Sequence, residues 1–209
     1  MKLIKYDEDE FPLRAVVTEL VGVDDLSELI NDMPLVTRER DQSTSYHSAF
    51  YWAFENMRDL YERFVHHVAA EHVEAPYCFQ GVPTFRVQLP DNLAVGEFHK
   101  DADYNHPDGE VNFWVPLTPV EDTSAVWIEF DDRYVPVPVQ PGEVLMFDAV
   151  NTRHGNVVNR SGRSRVSFDF RCLPMRRHRD TEAASLNTNL RFVVGGYYLT
   201  NDQSLELPQ

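Results

Sequence analysis

Two hydrophobic periods divide the chain, and the change from one to the other falls near Thr84. Before it, Phe50, Phe54, Met57, Tyr61, Phe64, Val65 and Val68 recur at helical spacing. That pattern predicts one long helix from about Ser43 or Ser45 to His72, with the serines as N-caps and Pro76 barring continuation. Upstream, Ala15 to Val21 reads as a short strand and Asp24 to Ile30 as a short capped helix. From Thr84 the period drops to two, over 84–89, 112–117, 125–130 and 144–147, continuing through 154–158 and 165–172. Turn clusters separate these runs: Pro90-Asp91-Asn92, Pro107-Asp108-Gly109, Asp131-Asp132-Arg133, Pro141-Gly142-Glu143 and Asn159-Arg160-Ser161-Gly162. About eight short strands behind one long helix predict a mainly β fold with flanking helices. The expected form is a double-stranded β-helix, or jelly roll, buttressed by the long N-terminal helix. A single domain over 1–209 is expected, with a helical and mixed region at 1–80, a jelly-roll core at 84–173 and an extension at 174–209. For Arg191 to Tyr198 an edge strand, a lid and a subunit contact remain open.

Composition narrows the partners. The 209 residues are 43% hydrophobic and 12% aromatic, enough for a sizeable core. A formal net charge of −15 makes the chain a poor match for a nucleic-acid backbone, which rewards clustered Lys and Arg. Solubility accounts for that acidity more simply than a cationic substrate does. Cys78 and Cys172 have no CxxC spacing, which points to a reducing compartment and gives no zinc signature. The N-terminal residues carry no apolar stretch, and no run reaches membrane-spanning length. The expectation is a cytoplasmic protein acting on a small molecule, with no membrane or nucleic-acid partner; a homodimer is left open.

The candidate chemistry lies in His99-Lys100-Asp101 and the later His154. Positions i and i+2 on an extended strand share a face, so His99 and Asp101 can meet one ion while Lys100 points away. A histidine from a distant strand completes a 2-His-1-carboxylate set, the face that suits non-heme Fe(II). Each part is weak alone; their order along the chain makes the set specific. His106, near Asp103 and Asp108, is the main rival ligand. His66, His67 and His72 read as surface or core histidines of the long helix, and His47 and His178 have no partner pattern. Fe(II) held by three protein groups needs a chelating co-substrate, and a guanidinium is suited to hold a distant carboxylate of it. Arg165 is the candidate.

From Phe85 to Leu173 the chain resembles the Fe(II)/2-oxoglutarate-dependent oxygenases. The strings from Glu97 to Pro107 and from Glu110 to Thr118, with Arg191 to Tyr198, are similar to the small oxygenases associated with streptomycin biosynthesis, the StrG type. The resemblance implies iron on His99, Asp101 and His154, and the far carboxylate of 2-oxoglutarate on Arg165, with Ser167 two residues on. Arg163 is the alternative anchor, and Arg171 shares the face but lies further off. Implied cofactors are Fe(II), 2-oxoglutarate and O2, with the diacid leaving as succinate and carbon dioxide. Halogenating members replace the metal carboxylate by Gly or Ala, so Asp101 favours hydroxylation.

Arg86 and Gln88 share one face of the strand before the metal pair, and Asn112 and Trp114 one face of the strand after it. Arg86 and Asn112 join Arg165 and Ser167 as candidate cofactor contacts, although core packing suits Trp114 and Trp127 and a surface carboxylate suits Arg86. Tyr104 and Asn105 are candidates for the substrate loop. The expected activity is hydroxylation of an unactivated carbon in an amino acid, amino sugar or natural-product intermediate. Two alternatives stand: a cupin-like metalloenzyme that uses no 2-oxoglutarate, and a non-catalytic jelly-roll binding protein.

Overall fold

The alternation after Thr84 resolves into two antiparallel sheets. The computed structural model describes residues 1–29, 43–93, 97–186 and 188–201. Its helices are α1 (Leu13–Val21), α2 (Ser45–Ala53) and α3 (Arg58–Ala69). Its strands are β1 (Lys2–Lys5), β2 (Tyr77–Gln80), β3 (Thr84–Gln88), β4 (Val111–Pro116), β5 (Val126–Phe130), β6 (Arg133–Val137), β7 (Glu143–Phe147), β8 (His154–Gly155), β9 (Arg165–Pro174) and β10 (Tyr198–Thr200). The larger sheet runs β1-β7-β4-β9-β2-β10, with β3 also pairing β9; the smaller runs β6-β5-β8. This is the jelly roll the strand pattern predicts.

β9 organises the molecule. All ten of its residues are buried, because both of its faces are covered. Val166, Phe168, Phe170 and Cys172 face the helices, where Phe168 and Phe170 meet Tyr61 and Phe64 edge-on with centroids 6.0 to 6.4 Å apart. Phe170 also stacks on Phe113 at 5.0 Å. Burying aromatic rings of this size contributes about 2 kcal/mol each, enough to clamp the helices onto the sheet. The alternate residues, Arg165, Ser167, Asp169 and Arg171, face the other way, into the space between the sheets. Registers Arg86↔Ser167 and Gln88↔Arg165 on one side, and Asn112↔Arg171 and Trp114↔Asp169 on the other, bring β3 and β4 side chains to the same face. Trp114, Leu145 and Phe147 close the apolar end of that space against Val126, Ile128 and Val137.

Several elements differ from the sequence reading. Ala15 to Val21 belongs to α1 rather than a strand: Leu13, Val17 and Val21 are buried at four-residue spacing, and tertiary burial outweighs the β-branched composition. Gly22 ends the helix at φ +74, donating its N–H to Thr18 and Glu19 carbonyls, as a left-handed cap should. The single long helix is two, α2 and α3, joined by a 3-10 stretch at Phe54–Met57. Three-residue winding there brings Phe54 and Met57 onto one buried face. Thr44, not a serine, accepts the N-cap bond from the His47 amide. Asp24 to Ile30 narrows to a 3-10 turn at Leu26–Glu28 capped by Asp25, and Ile30 lies outside the described residues.

The strands at β1, β2 and β6 were not legible. β6 follows a two-residue turn in which Asp131 and Asp132 both have positive φ, the geometry of a tight hairpin. Pro136 hides this strand in the sequence, yet is tolerated because β6 is an edge. Of Arg191 to Tyr198 only Tyr198 enters a strand, β10, which lies at the sheet edge on β2; the residues before it form turns and isolated bridges. No helix among the described residues is long and apolar enough to cross a membrane.

Candidate metal centre

His99 and His154 meet across an isolated antiparallel bridge. Each amide N lies 2.9 Å from the other's carbonyl O. Gly155 permits the approach: a Cβ there would meet Phe98 Cα at 3.0 Å and the Glu97 carbonyl at 3.1 Å. Asp101 corrects the expectation of a shared strand. It opens a 3-10 turn, Asp101–Tyr104, whose end is a left-handed Asn105, and its amide donates to the Ala149 carbonyl. The turn, not strand alternation, brings its carboxylate back toward His99.

His99, Asp101 and His154 each offer a ligand atom within 4.8 Å of the others. His99 Nε2 is 3.5 Å from Asp101 Oδ1, and His154 Nε2 is 3.7 Å from the same oxygen. Both Nδ1 atoms are engaged by carbonyls, His99 with Glu97 at 2.8 Å and His154 with Thr152 at 3.0 Å. A carbonyl can only accept, so Nδ1 carries the proton and Nε2 presents a lone pair. Burial lowers His154 to about 4, with His99 and Arg171 adding to it against Asp101, which keeps the imidazole neutral at ordinary pH. Burial alone would raise the Asp101 carboxyl, but Arg171 and the imidazoles overcome it and hold the group well below the usual carboxylate range. Two imidazoles and one carboxylate, converging with open space beyond, fit a divalent cation with positions left over for other ligands.

The oxygen not facing the histidines is occupied. Arg171 Nε and its NH2 nitrogen both lie 2.9 Å from Asp101 Oδ2. Its remaining nitrogen donates to Asp169 Oδ2 at 2.8 Å and to Gln80 Oε1 at 3.3 Å. Beyond it, Glu110 accepts from Tyr198 at 2.5 Å and pairs with His106 Nδ1 at 2.6 Å.

A cavity of about 480 Å³, its mouth included, adjoins the triad between the sheets. Arg165 forms its floor, stacked 5.8 Å above the Trp114 ring and donating to Asn156 Oδ1 at 2.6 Å. Burial, with Arg86 nearby, lowers this guanidinium to about 9, so it stays charged at neutral pH. Its Nε, Asn112 Oδ1 and Ser167 Oγ are buried without a hydrogen-bond partner among the described residues. Orphaned groups of this kind cost about 1 to 3 kcal/mol each unless a ligand satisfies them. A positive, partly unsatisfied floor beside a cation site fits a dianion that also reaches the metal. Arg86 lines the cavity too, 3.4 Å from Asp169 Oδ1.

Of the residues expected at the site, His99, His154, Arg165, Asn112 and Arg86 line this cavity; Asp101 meets the two histidines behind it, and Ser167, buried on β9, does not line it. Arg163 is outside it, exposed and reaching Ser27 Oγ at 3.3 Å. Trp127 bonds the Asp122 carbonyl at 3.2 Å on the smaller sheet and does not line the cavity. Gln88 spends its amide on the Val157 and Asn92 carbonyls. Tyr104 meets His99 edge-on at 5.0 Å but does not line the cavity. His106 does come near Asp101, as part of a second group with Glu110, but its Nδ1 is taken by Glu110 and Arg171 stands 3.8 Å from the same carboxylate. A guanidinium in that position opposes a cation. Sequence reasoning missed Asn156, Asp169 and Glu110; the i+2 run of charged residues along β9 was the available signal for Asp169, and the other two had none.

No family model matches the chain. It is 41% identical over 197 residues to the streptomycin biosynthesis protein StrG of Streptomyces griseus, covering 94% of this chain and 96% of that one. Among solved structures, the non-heme monooxygenase ThoJ in its apo form aligns with TM-score 0.50 and 14% identity, over 88% of this chain and 86% of that one. HygX from Streptomyces hygroscopicus, solved with nickel and 2-oxoglutarate bound, aligns with TM-score 0.48 and 14% identity, over 88% and 87%. The likeness to ThoJ is one of fold.

Proposed function

The chain belongs to the StrG family of streptomycin-biosynthesis proteins, and from that premise we propose that it is an Fe(II)- and 2-oxoglutarate-dependent oxygenase. It hydroxylates an unactivated carbon of a small natural-product intermediate, such as an amino acid or amino sugar. One observation carries this reading: the free Nε2 atoms of His99 and His154 and the free Oδ1 of Asp101 converge beside a buried, partly unsatisfied guanidinium.

Bound iron and 2-oxoglutarate supply oxygen activation, driven by loss of carbon dioxide from the diacid to leave succinate. The chain's own residues do the positioning. Arg165 holds the far carboxylate of the diacid by charge-assisted bonds, with Ser167 and Asn112 supplying the polar groups now lacking partners. Arg86 adds a second positive charge along the wall and Asn156 fixes the plane of Arg165. Trp114, Val126 and Phe147 give the cavity apolar walls that exclude water from the reacting carbon. Tyr104, packed edge-on against His99, belongs to the turn beside the metal ligands, where a substrate loop would sit. The same likeness to StrG supports a natural-product substrate.

Anaerobic Fe(II) with 2-oxoglutarate should give a weak visible charge-transfer band, absent in His154→Ala. Admitting O2 should then yield succinate, with the yield raised by the true substrate. Metal binding without any 2-oxoglutarate-dependent band would favour a cupin-like enzyme instead.

A further inference from the structure

We propose that Arg171 is a positioning residue: it captures Oδ2 of Asp101 so that the carboxylate meets the metal through Oδ1 alone. This rests on the oxygenase reading of the site and goes beyond it, since it gives Arg171, a lining residue of the cavity, a role through the metal carboxylate.

The geometry is unusual for an arginine–carboxylate pair. A guanidinium fork ordinarily spans both oxygens, one nitrogen each. Here Nε and NH2 both address the single oxygen Oδ2, at 2.9 Å each, and leave Oδ1 to the histidines. A carboxylate beside a metal is otherwise free to rotate about its terminal bond and bind through both oxygens. In a site that must keep coordination positions open, the second oxygen would take one of them. The charge-assisted hydrogen bond from Nε and the close approach of the second nitrogen to Oδ2 oppose that rotation.

Arg171 is itself held from three sides. It is buried, on the strand whose two faces are both covered, and Asp169, Gln80 and Glu110 surround it. Glu110 is anchored in turn by Tyr198 on β10. The edge strand at the C-terminal end thus reaches the metal ligand through two intermediates, Glu110 and Arg171. A fully buried guanidinium would be costly without this set of acceptors, and none of its bonds is needed to hold β9 in the sheet.

The test uses Co(II) alone, whose visible d–d bands report coordination number, followed by 2-oxoglutarate titration of the Co(II)-loaded protein. Arg171→Met should change the d–d spectrum and weaken 2-oxoglutarate binding by about tenfold or more, the range for an outer partner of a metal ligand. Arg171→Lys, with one compact charge in place of the fork, should recover part of both. Loss of packing alone would lower the melting temperature without moving the bands of the folded, loaded protein. Should Arg171→Met fail to fold, Glu110→Gln removes the charge behind Arg171 and keeps the shape; it should shift the same bands to a lesser degree. Bands and 2-oxoglutarate affinity within twofold of the parent, in whichever variant folds, overturn the proposal. If the parent's Co(II) spectrum is indifferent to His154→Ala, the oxygenase reading itself falls and takes this proposal with it.

Discussion

His99 and His154 exchange both backbone hydrogen bonds, 2.9 Å in each direction, and their rings lie 4.6 Å apart. The two imidazoles are thus set by main-chain pairing rather than by their own contacts. Replacing either side chain leaves the bridge intact. His99→Ala and His154→Ala, which remove ligands themselves, should each weaken Fe(II) binding by at least about a hundredfold, the upper end for loss of a mere outer partner. Metal-free melting temperatures should change by no more than a few degrees. A large drop in metal-free stability would show that the imidazoles, not the bridge, hold these segments.

Gly155 lies next to that bridge, where a Cβ would fit only if its backbone neighbours, met at 3.0 and 3.1 Å, gave way by a few tenths of an ångström. Gly155→Ala must displace the segment carrying His99. Isothermal titration should show metal affinity lowered by about tenfold, although no ligand is altered. An unchanged affinity would mean that the Glu97 to His99 segment yields freely.

Arg165 is buried, with its guanidinium on the cavity floor and one nitrogen committed to Asn156. Lysine supplies a charge but neither the fork nor the flat face over Trp114. Arg165→Lys should raise the KM for 2-oxoglutarate by about tenfold to a hundredfold, as loss of one charge-assisted bond of about 1.5 to 3 kcal/mol requires. The Fe(II) affinity should stay near the parent value. Equal losses of metal and 2-oxoglutarate binding would place Arg165 in folding rather than in co-substrate capture.

His47 is buried behind β3, bonded to Thr44 at 2.7 Å and packed edge-on against Phe85. Burial, with Arg86 nearby, lowers it to about 4. The unfolded chain takes up this proton near pH 6.5, whereas the folded chain resists it until about 4. Protons therefore favour unfolding across that window, and stability falls as pH drops from 7 to 4. The full contribution is up to about 3 kcal/mol. Urea titrations should show a shallower pH slope for His47→Gln than for the parent. Identical slopes would mean that the imidazole takes its proton in the folded state.

The sequence carried the chemistry further than it carried the secondary structure. His99, Asp101, His154 and Arg165 were legible because residue type, order and spacing are one-dimensional properties. Most strands from Thr84 to Cys172 were legible because their side chains alternate in type between the helix-facing apolar layer and the space between the sheets. α1 was misread because its Val-rich run suits a strand by composition, while its neighbours bury it at helical spacing. β6 was hidden by Pro136, which only its place at a sheet edge makes acceptable.

Other matters were decided in three dimensions. Arg163 and Arg165 are equivalent in sequence; only the start of β9 puts one in the cavity and leaves the other exposed. Asp101 reaches the histidines through a turn whose path depends on the Ala149 carbonyl from a distant segment. Arg171 finds Asp101 because β9 is flanked on both sides and its i+2 residues have nowhere to point but inward. By itself the chain's order of residues determined which groups are available and how strands alternate, since those depend on covalent neighbours. Which oxygen, nitrogen or face each group presents was decided by long-range pairing, because hydrogen-bond partners distant in sequence set the orientation of every ligand.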